Sequence, residues 1–488
     1  MHGSDTIFPA ELRTAVEKNM VGASRLVAAQ FRLDAPAFLS RDEFLAFIPS
    51  SSKSRPLSQL ADVFTVYIQS PILAYVRPFA NSRPYMTTSE LAENQNGRTT
   101  HVSLLADPRL MDWEIKHRNI VVSRSGRVGE AYWVDKKLGG ALVGDSFRVV
   151  PKKPADGPFI YVVLASSFAR NFLSGSAYGS VIDHASLEQL RNFPMPEVTA
   201  SVKSKITKSM GRALASRERA SDLLDQVQVQ LLKANNLLPM DTNPADVLTV
   251  NADVVNFMVT PTDLAQSAAS ASEFRLEAHF HNPVTRLAIA RIEKSPSKKL
   301  TVGEISHDVI MGGRFKRNYV ESAYGTPFLS GKNIAQIRPT DLKYLSNSET
   351  EDLNKMLVKR GWILVTCSGT IGRTCFVWHN FENYAASQHI LRVLPDNDQI
   401  DPGYLYAFLA SDYGYFQTIR FRHGSVIDEI TDKQLKKVIV PVPSRTQQKE
   451  IGDVVRLAYE KRAEALRLDE ESQALLLREL KESIAKEK

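Results

Sequence analysis

Cysteine is nearly absent from this sequence. The only two cysteines among 488 residues, Cys367 and Cys375, are too few for a disulfide framework or a four-cysteine zinc site. No uncharged apolar run reaches the roughly 18 residues that a membrane-spanning helix needs, and the segment from Met1 to Ala10 has neither the basic nor the apolar region of a secretory signal. We therefore expect a cytoplasmic protein with reduced thiols, no membrane contact and no bound metal or cofactor.

The composition is that of an ordinary globular protein. Hydrophobic residues make up 43% of the chain, which suffices for several buried cores, and the length predicts two to four domains. The formal net charge of +7 favours an anionic partner. Many proteins that never bind nucleic acid have such a charge, so this observation only supports the motifs below.

The chain is organised as an internal duplication, which has to be recognised before local structure is assigned. The matching segments lie 243 residues apart through most of the repeat and 245 residues apart near its end, because two residues are inserted in the second copy. The main matches are Phe31–Ala35 with Phe274–Ala278, Arg83–Met86 with Thr326–Leu329, Asn119–Gly129 with Trp362–Gly372, and Gly179–Asp183 with the identical Gly424–Asp428.

A long helix is predicted after each copy, at about residues 199–238 and 444–484. Apolar residues recur there with a seven-residue period, which is typical of a helix with one long buried seam. Such a helix is about 60 Å long, too long to lie inside one small domain. We favour pairing of the two helices in a coiled coil, and the alternative is that each helix packs only on its own unit. The predicted seam residues are Ile206, Met210, Ala213, Ala220 and Leu231, matched by Ile451, Val455, Ala458, Ala465 and Leu476.

Each copy combines strands and helices. Segments 159–173 and 402–418 are predicted to be helical, with Asp401 as the cap and Pro402 at the first helical position. Proline segments at 194–196 and 441–443 close the units. The predicted strands, which are short β-branched runs between turn residues, are Ile120–Val122, Phe147–Val150, Ile363–Val365 and Ile390–Leu394.

Three segments of the sequence suggest catalysis or ligand binding, and each also has a structural explanation. The glycine-rich segment Ser368–Arg373 lacks the Gly-Lys-Ser/Thr of a nucleotide-binding loop, so a tight turn with close backbone approach is favoured. Asp107, Glu114 and Lys116 resemble a metal-dependent nuclease motif only superficially, and a surface helix with mixed charges is the favoured explanation. His279 and His281 lack a third ligand in the sequence.

The motifs of the second copy resemble the specificity subunits of type I restriction-modification systems. The resemblance covers nearly the whole chain and rests on Gly361–Gly372, Ala386–His389, Pro402–Tyr406, Gly424–Ile430 and Gln447–Ile451. In the first copy, the Ser-Gln-His stretch is replaced around Val143–Ser146. The resemblance implies two target recognition domains, two spacer helices forming an antiparallel coiled coil, and no catalytic site in this chain.

The resulting prediction is an α+β protein with two tandem mixed α/β target recognition domains separated by the two long helices. Its implied partners are double-stranded DNA and two DNA methyltransferase subunits, with restriction or translocase subunits as further candidates. The alternative is an adaptor scaffold that tethers defence effectors without recognising a sequence. The predicted boundaries are a helical lead-in at 1–30, domain 1 at 31–198, spacer helix 1 at 199–238, a joint at 239–273, domain 2 at 274–443 and spacer helix 2 at 444–488.

Basic and polar residues expected on loops are the candidate DNA contacts, because such side chains bind phosphate oxygens and base edges. Solvated surface charge is the alternative for each of them. The candidates are Lys53, Arg55, Arg77, Arg83, Arg124, Arg127, Arg314, Lys316, Arg317, Lys332, Asn333, Arg373, Arg420, Arg422 and His423.

Overall fold

The computed structural model describes residues 54–76, 79–93, 100–175, 184–240, 257–265, 275–336, 339 and 342–487. The predicted lead-in at 1–30 and the repeated segment Gly179–Asp183 lie outside the described residues. Of the predicted joint at 239–273, residues 239–240 and 257–265 are described, and there Asp263 pairs with Arg286 at 2.7 Å.

The first half forms three small sheets. Strand β9 lies between β2 and β6, with β7 beyond β6, and all these pairs are antiparallel. In the second sheet, β5 lies between β3 and β4, and β8 joins β4 in parallel. Strands β1 and β10 pair separately. The strands are β1 Arg55–Pro56, β2 Ala61–Thr65, β3 Tyr75–Val76, β4 Ser82–Met86, β5 Thr100–Ser103, β6 Ile120–Ser123, β7 Ala131–Trp133, β8 Leu142–Val143, β9 Ser146–Pro151 and β10 Pro194–Met195.

The second half repeats this strand order. Its sheets are β12-β19-β16-β17, all antiparallel, then β13-β15-β14-β18 with β18 parallel to β14, and the pair β11-β20. The segments related by the 243-residue offset therefore form equivalent strands. The strands are β11 Lys298–Thr301, β12 Ser306–Met311, β13 Tyr319–Val320, β14 Gly325–Leu329, β15 Lys343–Ser346, β16 Ile363–Thr366, β17 Thr374–Phe376, β18 Ala385–Ala386, β19 Ile390–Pro395 and β20 Ile439–Val442.

The strands predicted from β-branched runs are confirmed as β6, β9, β16 and β19. Proline does not end the last strand of each unit as expected, because Pro194 and Pro441 lie within β10 and β20. Each of these strands belongs to a two-stranded sheet, and such an edge position tolerates a residue without a backbone N–H.

The helix predicted within each half is interrupted. Residues 157–175 form two helices, as do residues 402–419, with a break at Ala165–Ser166 and at Ser411. The predicted cap is confirmed, since the Asp401 side chain accepts from the amides of Gly403 and Tyr404. The α-helices are α1 Leu57–Leu60, α2 Thr88–Glu93, α3 Gly157–Leu164, α4 Ser167–Gly175, α5 Leu187–Arg191, α6 Ala200–Ala234, α7 Pro283–Lys294, α8 Leu353–Met356, α9 Pro402–Ala410, α10 Asp412–Ile419, α11 Asp432–Leu435 and α12 Arg445–Glu487.

The two long helices, α6 and α12, lie against each other in opposite directions. All ten predicted seam residues are buried. The Thr199 hydroxyl caps the start of α6 by accepting from the amide of Val202. Three polar contacts between the helices show the antiparallel direction, because later residues of α6 contact earlier residues of α12. The contacts are Thr199 with Glu479, Ser209 with Leu468, and Ser216 with Glu464.

Each half packs its core against a different end of this helix pair. The core of the first half includes Ile206 and Met210 of α6 together with Leu468 and Leu476 of α12. The core of the second half includes Val227 and Leu231 of α6, with Ile451, Val455 and Tyr459 of α12. Each such aliphatic side chain stabilises the fold by about 1.5–3 kcal/mol when it leaves water. The two folded units are therefore attached at separate places along the same two helices.

Candidate nucleic-acid interface

A glycine loop follows the central strand of each half and has the same hydrogen bonds in both. In the first half, the Ser123 amide donates to the Glu130 carbonyl at 2.9 Å and the Gly129 amide to the Ser123 carbonyl at 3.0 Å. In the second half, Thr366 and Gly372 repeat both bonds at 2.9 and 3.0 Å. The hydroxyls of Ser123 and Thr366 also donate to a carbonyl within their own loops. The glycine motif therefore builds one tight turn twice, as predicted.

Two glycines in each loop require the left-handed backbone. Gly369 has φ +72° and Gly372 has φ +84°. A Cβ on Gly372 would lie 2.9 Å from the Tyr415 ring, whereas one on Gly369 would meet open space. The first glycine thus serves the turn and faces outward, while the second also allows close packing on the following helix.

Other segments converge on this turn in the second half. The Cys367 amide donates to the His389 carbonyl at 3.0 Å. Arg317, from the basic loop before β13, donates from Nη2 to Gln388 Oε1 at 2.7 Å. Arg317, the Ser-Gln-His stretch and the glycine loop thus lie together, although 50 residues separate Arg317 from Ser368 and 13 residues separate Arg373 from Ser387 in the sequence.

The repeated Gly-Ser-Val-Ile-Asp segment of the second half lies beside the same turn. The Gly369 amide donates to the Asp428 carbonyl at 2.9 Å, and Ser368 Oγ donates to Glu429 Oε1 at 3.3 Å. Val426 is 93% exposed at the tip. This apolar, solvent-facing tip was not among the residues predicted to bind DNA.

The first half presents an ion pair at its turn. Arg124 Nη1 lies 2.8 Å from Asp145 Oδ1, and the Ser125 hydroxyl donates to the other oxygen of that carboxylate. Asp145 lies in the connection between β8 and β9, with a φ of +42°. This is the place of the Ser-Gln-His stretch in the second half.

The predicted DNA contacts have different surroundings. Lys53 and Arg77 lie outside the described residues. Arg314, Lys316, Arg317 and His423 are exposed, and Lys332 and Arg373 are half-buried. Arg55 pairs with Glu197 at 3.0 Å, Arg127 with Glu130 at 3.4 Å and Arg422 with Asp428 at 3.7 Å. None of these surroundings identifies a DNA contact, so this part of the list stays a prediction.

Three candidates do not lie on exposed loops, contrary to expectation. Asn333 is 2% exposed, and its Oδ1 accepts from the Ser330 amide at 2.9 Å. Arg83 belongs to strand β4 and donates to the Ser82 carbonyl at 2.9 Å. The Arg420 guanidinium packs 4.0 Å from the centre of the Phe280 ring, and burial, assisted by Arg275, lowers its pKa to about 10. These side chains are engaged within the protein.

Sequence reasoning missed one buried arginine in each half. Arg148 of β9 and Arg392 of β19 are 2% and 3% exposed. Arg148 donates to the Trp113 carbonyl at 2.9 Å, and Arg392 donates to the Lys355 carbonyl at 2.7 Å. Burial lowers the pKa of both groups, that of Arg148 to about 10. Their equivalent positions in the repeat were a signal, but an arginine within a strand is usually assumed to face solvent.

The acidic and histidine residues considered as nuclease or metal-binding groups have hydrogen-bond partners within the protein. Asp107 accepts hydrogen bonds from Arg109 and from the Ile72 amide, and the Arg109 bonds chiefly hold its pKa down, at about 2. His279 and His281 each bond a backbone carbonyl, at 2.7 and 2.6 Å. Within the described ranges, no three histidine, cysteine or acidic side chains come close enough to hold a metal ion. Nor does any helix there combine the length and apolar character that crossing a membrane requires.

A family model matches part of this chain. Residues 294–460 match the family model described as type I restriction modification DNA specificity domain. No curated protein sequence matches the chain.

Three solved structures are similar to the chain. The S subunit of a type I restriction-modification system from M. genitalium is 14% identical, with 89% of this chain and 98% of that chain covered and a TM-score of 0.34. The HsdS subunit from Thermoanaerobacter tengcongensis is 15% identical, with coverages of 90% and 97% and a TM-score of 0.27. A structure described as concerning complex assembly and conformational transition of the type I R-M system is 15% identical, with coverages of 90% and 98% and a TM-score of 0.28.

The fold and the paired turns define a protein made of a duplicated mixed helix-and-strand unit. Residues 294–460, which cover most of the second unit and the first part of α12, match the type I restriction modification DNA specificity domain, and this match confirms the resemblance inferred from the sequence. This match supports a role in DNA recognition.

Proposed function

We propose that this chain is the sequence-specific DNA-binding specificity subunit of a type I-like restriction-modification or methylation-based phage-defence system. Its two units, at 31–198 and 274–443, each recognise one half of a bipartite, asymmetric DNA site. The observation that carries the proposal is the same tight turn, built once in each of two units whose cores pack on opposite ends of one helix pair. Because the side chains around the two turns differ, the two half-sites differ in sequence.

The helix pair acts as a coiled-coil spacer between the units. Ile206 packs with the first unit and Leu231 with the second, and at 1.5 Å per residue these positions are about 38 Å apart. One turn of B-DNA spans about 34–36 Å, so two units at this distance can meet the same side of the duplex. The spacer thereby fixes the gap between the half-sites.

Both units are also held directly to the first spacer helix. In the first unit, His117 Nε2 lies 2.8 Å from Glu218 and Lys137 Nζ 2.6 Å from Asp225. In the second unit, the Tyr404 hydroxyl and the Asn235 amide lie 3.0 Å apart. A unit held on both its core and its rim keeps its orientation, as recognition at a fixed gap requires.

Methylation and cleavage are assigned to partner subunits. The spacer helices carry two methyltransferase subunits, because an antiparallel pair offers two similar surfaces related by a pseudo-twofold axis. Restriction or translocase subunits are further candidate partners. The chain itself supplies recognition and assembly, in the cytoplasm.

The test is selection from a random DNA pool. The full chain is mixed with the methyltransferase encoded beside it, and DNA that binds at moderate salt is sequenced. We expect a split motif with a constant gap. If random DNA competes for binding as well as the selected DNA does, sequence recognition is refuted and the adaptor is favoured. Specific sites are normally bound with an affinity about 10³-fold or more above that of random DNA.

A further inference from the structure

The two halves build the same turn but place different side chains on it. Arg124 of the first turn corresponds to Cys367 of the second, at the 243-residue offset. The connection after β8 is Gly144-Asp145, whereas the connection after β18 is Ser387-Gln388-His389. In each half these two positions touch, through Arg124 with Asp145 and through Cys367 with Gln388. The two halves therefore share the backbone of the turn and differ in the side chains at these two contacting positions.

In the first half, this place carries a solvent-accessible ion pair. The side chains of Arg124 and Asp145 are 25% and 47% exposed, and the Ser125 hydroxyl fixes the carboxylate from the side. An ion pair this exposed contributes only about 0–1 kcal/mol to stability. Its donors and acceptors can therefore be exchanged for those of a ligand at little cost.

In the second half, an amide takes the place of the carboxylate. Cys367 is buried and offers no donor to solvent, but Arg317 reaches the site from another loop and holds Gln388 Oε1 at 2.7 Å. Gln388 Nε2 lies 3.1 Å from His389 Nε2. Each half thus presents an arginine beside a short planar group, a carboxylate in the first and an amide in the second.

These two arrangements match different base pairs. In the major groove, arginine donates two hydrogen bonds to guanine O6 and N7, and a carboxylate accepts from the cytosine N4 amino group. Glutamine instead bonds adenine N6 and N7. We propose that Arg124 and Asp145 together recognise a G·C base pair in one half-site, and that Gln388, positioned by Arg317, recognises an A·T pair in the other. This inference rests on the proposed DNA-recognition function.

The inference is tested by comparing motifs selected from a random DNA pool by the methyltransferase complex of the full chain and of its variants. Arg124→Gln is expected to abolish the preference for guanine at one position of one half-site, a loss of roughly 5- to 150-fold in discrimination. Gln388→Ala is expected to relax one position of the other half-site only. The gap between the two half-sites stays constant in the motifs of both variants. Asp145→Asn, which preserves side-chain shape, weakens selection at the same position as Arg124→Gln.

Lys136→Gln is the matched control, because Lys136 is exposed, lies in the first half and loses the same charge. Its motif stays that of the unaltered chain, and the melting curves of all variants verify folding. If Arg124→Gln weakens binding to every sequence equally, Arg124 binds phosphate rather than a base and the inference is wrong, although the proposed function stands. If even the unaltered complex selects no motif, the proposed function fails with it.

Discussion

The buried ion pair between the two long helices offers the sharpest test of how they are held together. Arg217 of α6 donates from Nη2 to Asp469 of α12, and from Nη1 to the Tyr161 hydroxyl at 3.3 Å. The side chains of Arg217 and Asp469 are 12% and 0% exposed. Burial opposes the charge of Arg217, but Tyr161 and Asp469 outweigh this effect and raise its pKa. The guanidinium is therefore charged wherever the helices are paired.

Asp469→Asn is expected to destabilise the protein by about 3–5 kcal/mol, because it leaves a buried cation without its counter-charge. Over the roughly 150–250 residues that unfold with each unit, every kcal/mol corresponds to about 2–4 °C. We therefore expect the melting temperature of the transition that includes the helix pair to fall by about 6–20 °C. Scanning calorimetry of the full chain measures it.

Glu471→Gln is the matched control on the same helix. Glu471 pairs with Arg467, but both side chains are more than half exposed, at 52% and 58%. That pair is worth about 0–1 kcal/mol. If Asp469→Asn costs no more than Glu471→Gln, the buried pair does not hold the helices and the reasoning is refuted.

The double variant Arg217→Met with Asp469→Leu separates charge burial from packing. Replacing both charges by apolar side chains is typically neutral or stabilising by about 1–4 kcal/mol. The repeat provides a precedent, since the residue equivalent to Asp469 at the 245-residue offset is Leu224. Stability close to that of the unaltered chain is expected.

Three further predictions concern the turns and the titrating groups. Gly372→Ala should lower the free energy of unfolding in denaturant titrations by more than about 2 kcal/mol, because it adds a clash with Tyr415 to a positive φ. Gly369→Ala, which has only the positive φ, should lower it by roughly 1 kcal/mol. Equal losses would contradict this packing. Burial raises the pKa of Cys367 to about 12 and of Cys375 to about 11, so neither thiol should react rapidly with Ellman's reagent at pH 8 until the chain is unfolded. The lowered pKa of Asp107, about 2, gives stability that is present above its ordinary pKa of 3.8 and lost as the pH falls from there towards 2. The difference in melting temperature between the unaltered chain and Asp107→Asn should therefore shrink over that interval, and a constant difference would contradict the assignment.

Local periodicity determined much of this fold in advance. The seven-residue apolar period located α6 and α12 to within about four residues at each end, and the ten seam residues are buried. The offset between the copies identified equivalent strands such as β6 and β16. These features were predictable because a helix seam, a glycine at positive φ and a repeated segment are encoded within a few neighbouring residues.

The candidate site was predicted less well. Residue type alone suggested Asn333 and Arg420, but Asn333 is buried and Arg420 packs on Phe280. Conversely, acidic Asp145 was passed over because a search for DNA contacts favours basic residues. Asp145 becomes a candidate site residue only because the structure places it beside Arg124.

The sequence by itself determined that the chain is duplicated, where the two long helices and the strands β6, β9, β16 and β19 lie, and where the glycine turns lie. The tertiary structure alone decided which side chains meet: Arg217 with Asp469 across 252 residues, and Arg317 with Gln388 across 71. The physical reason is that local sequence patterns determine backbone conformation, whereas the energetic contribution of a charged or amide side chain depends on its burial and its partners. Those are set by sheets and helices that pair residues far apart in the chain.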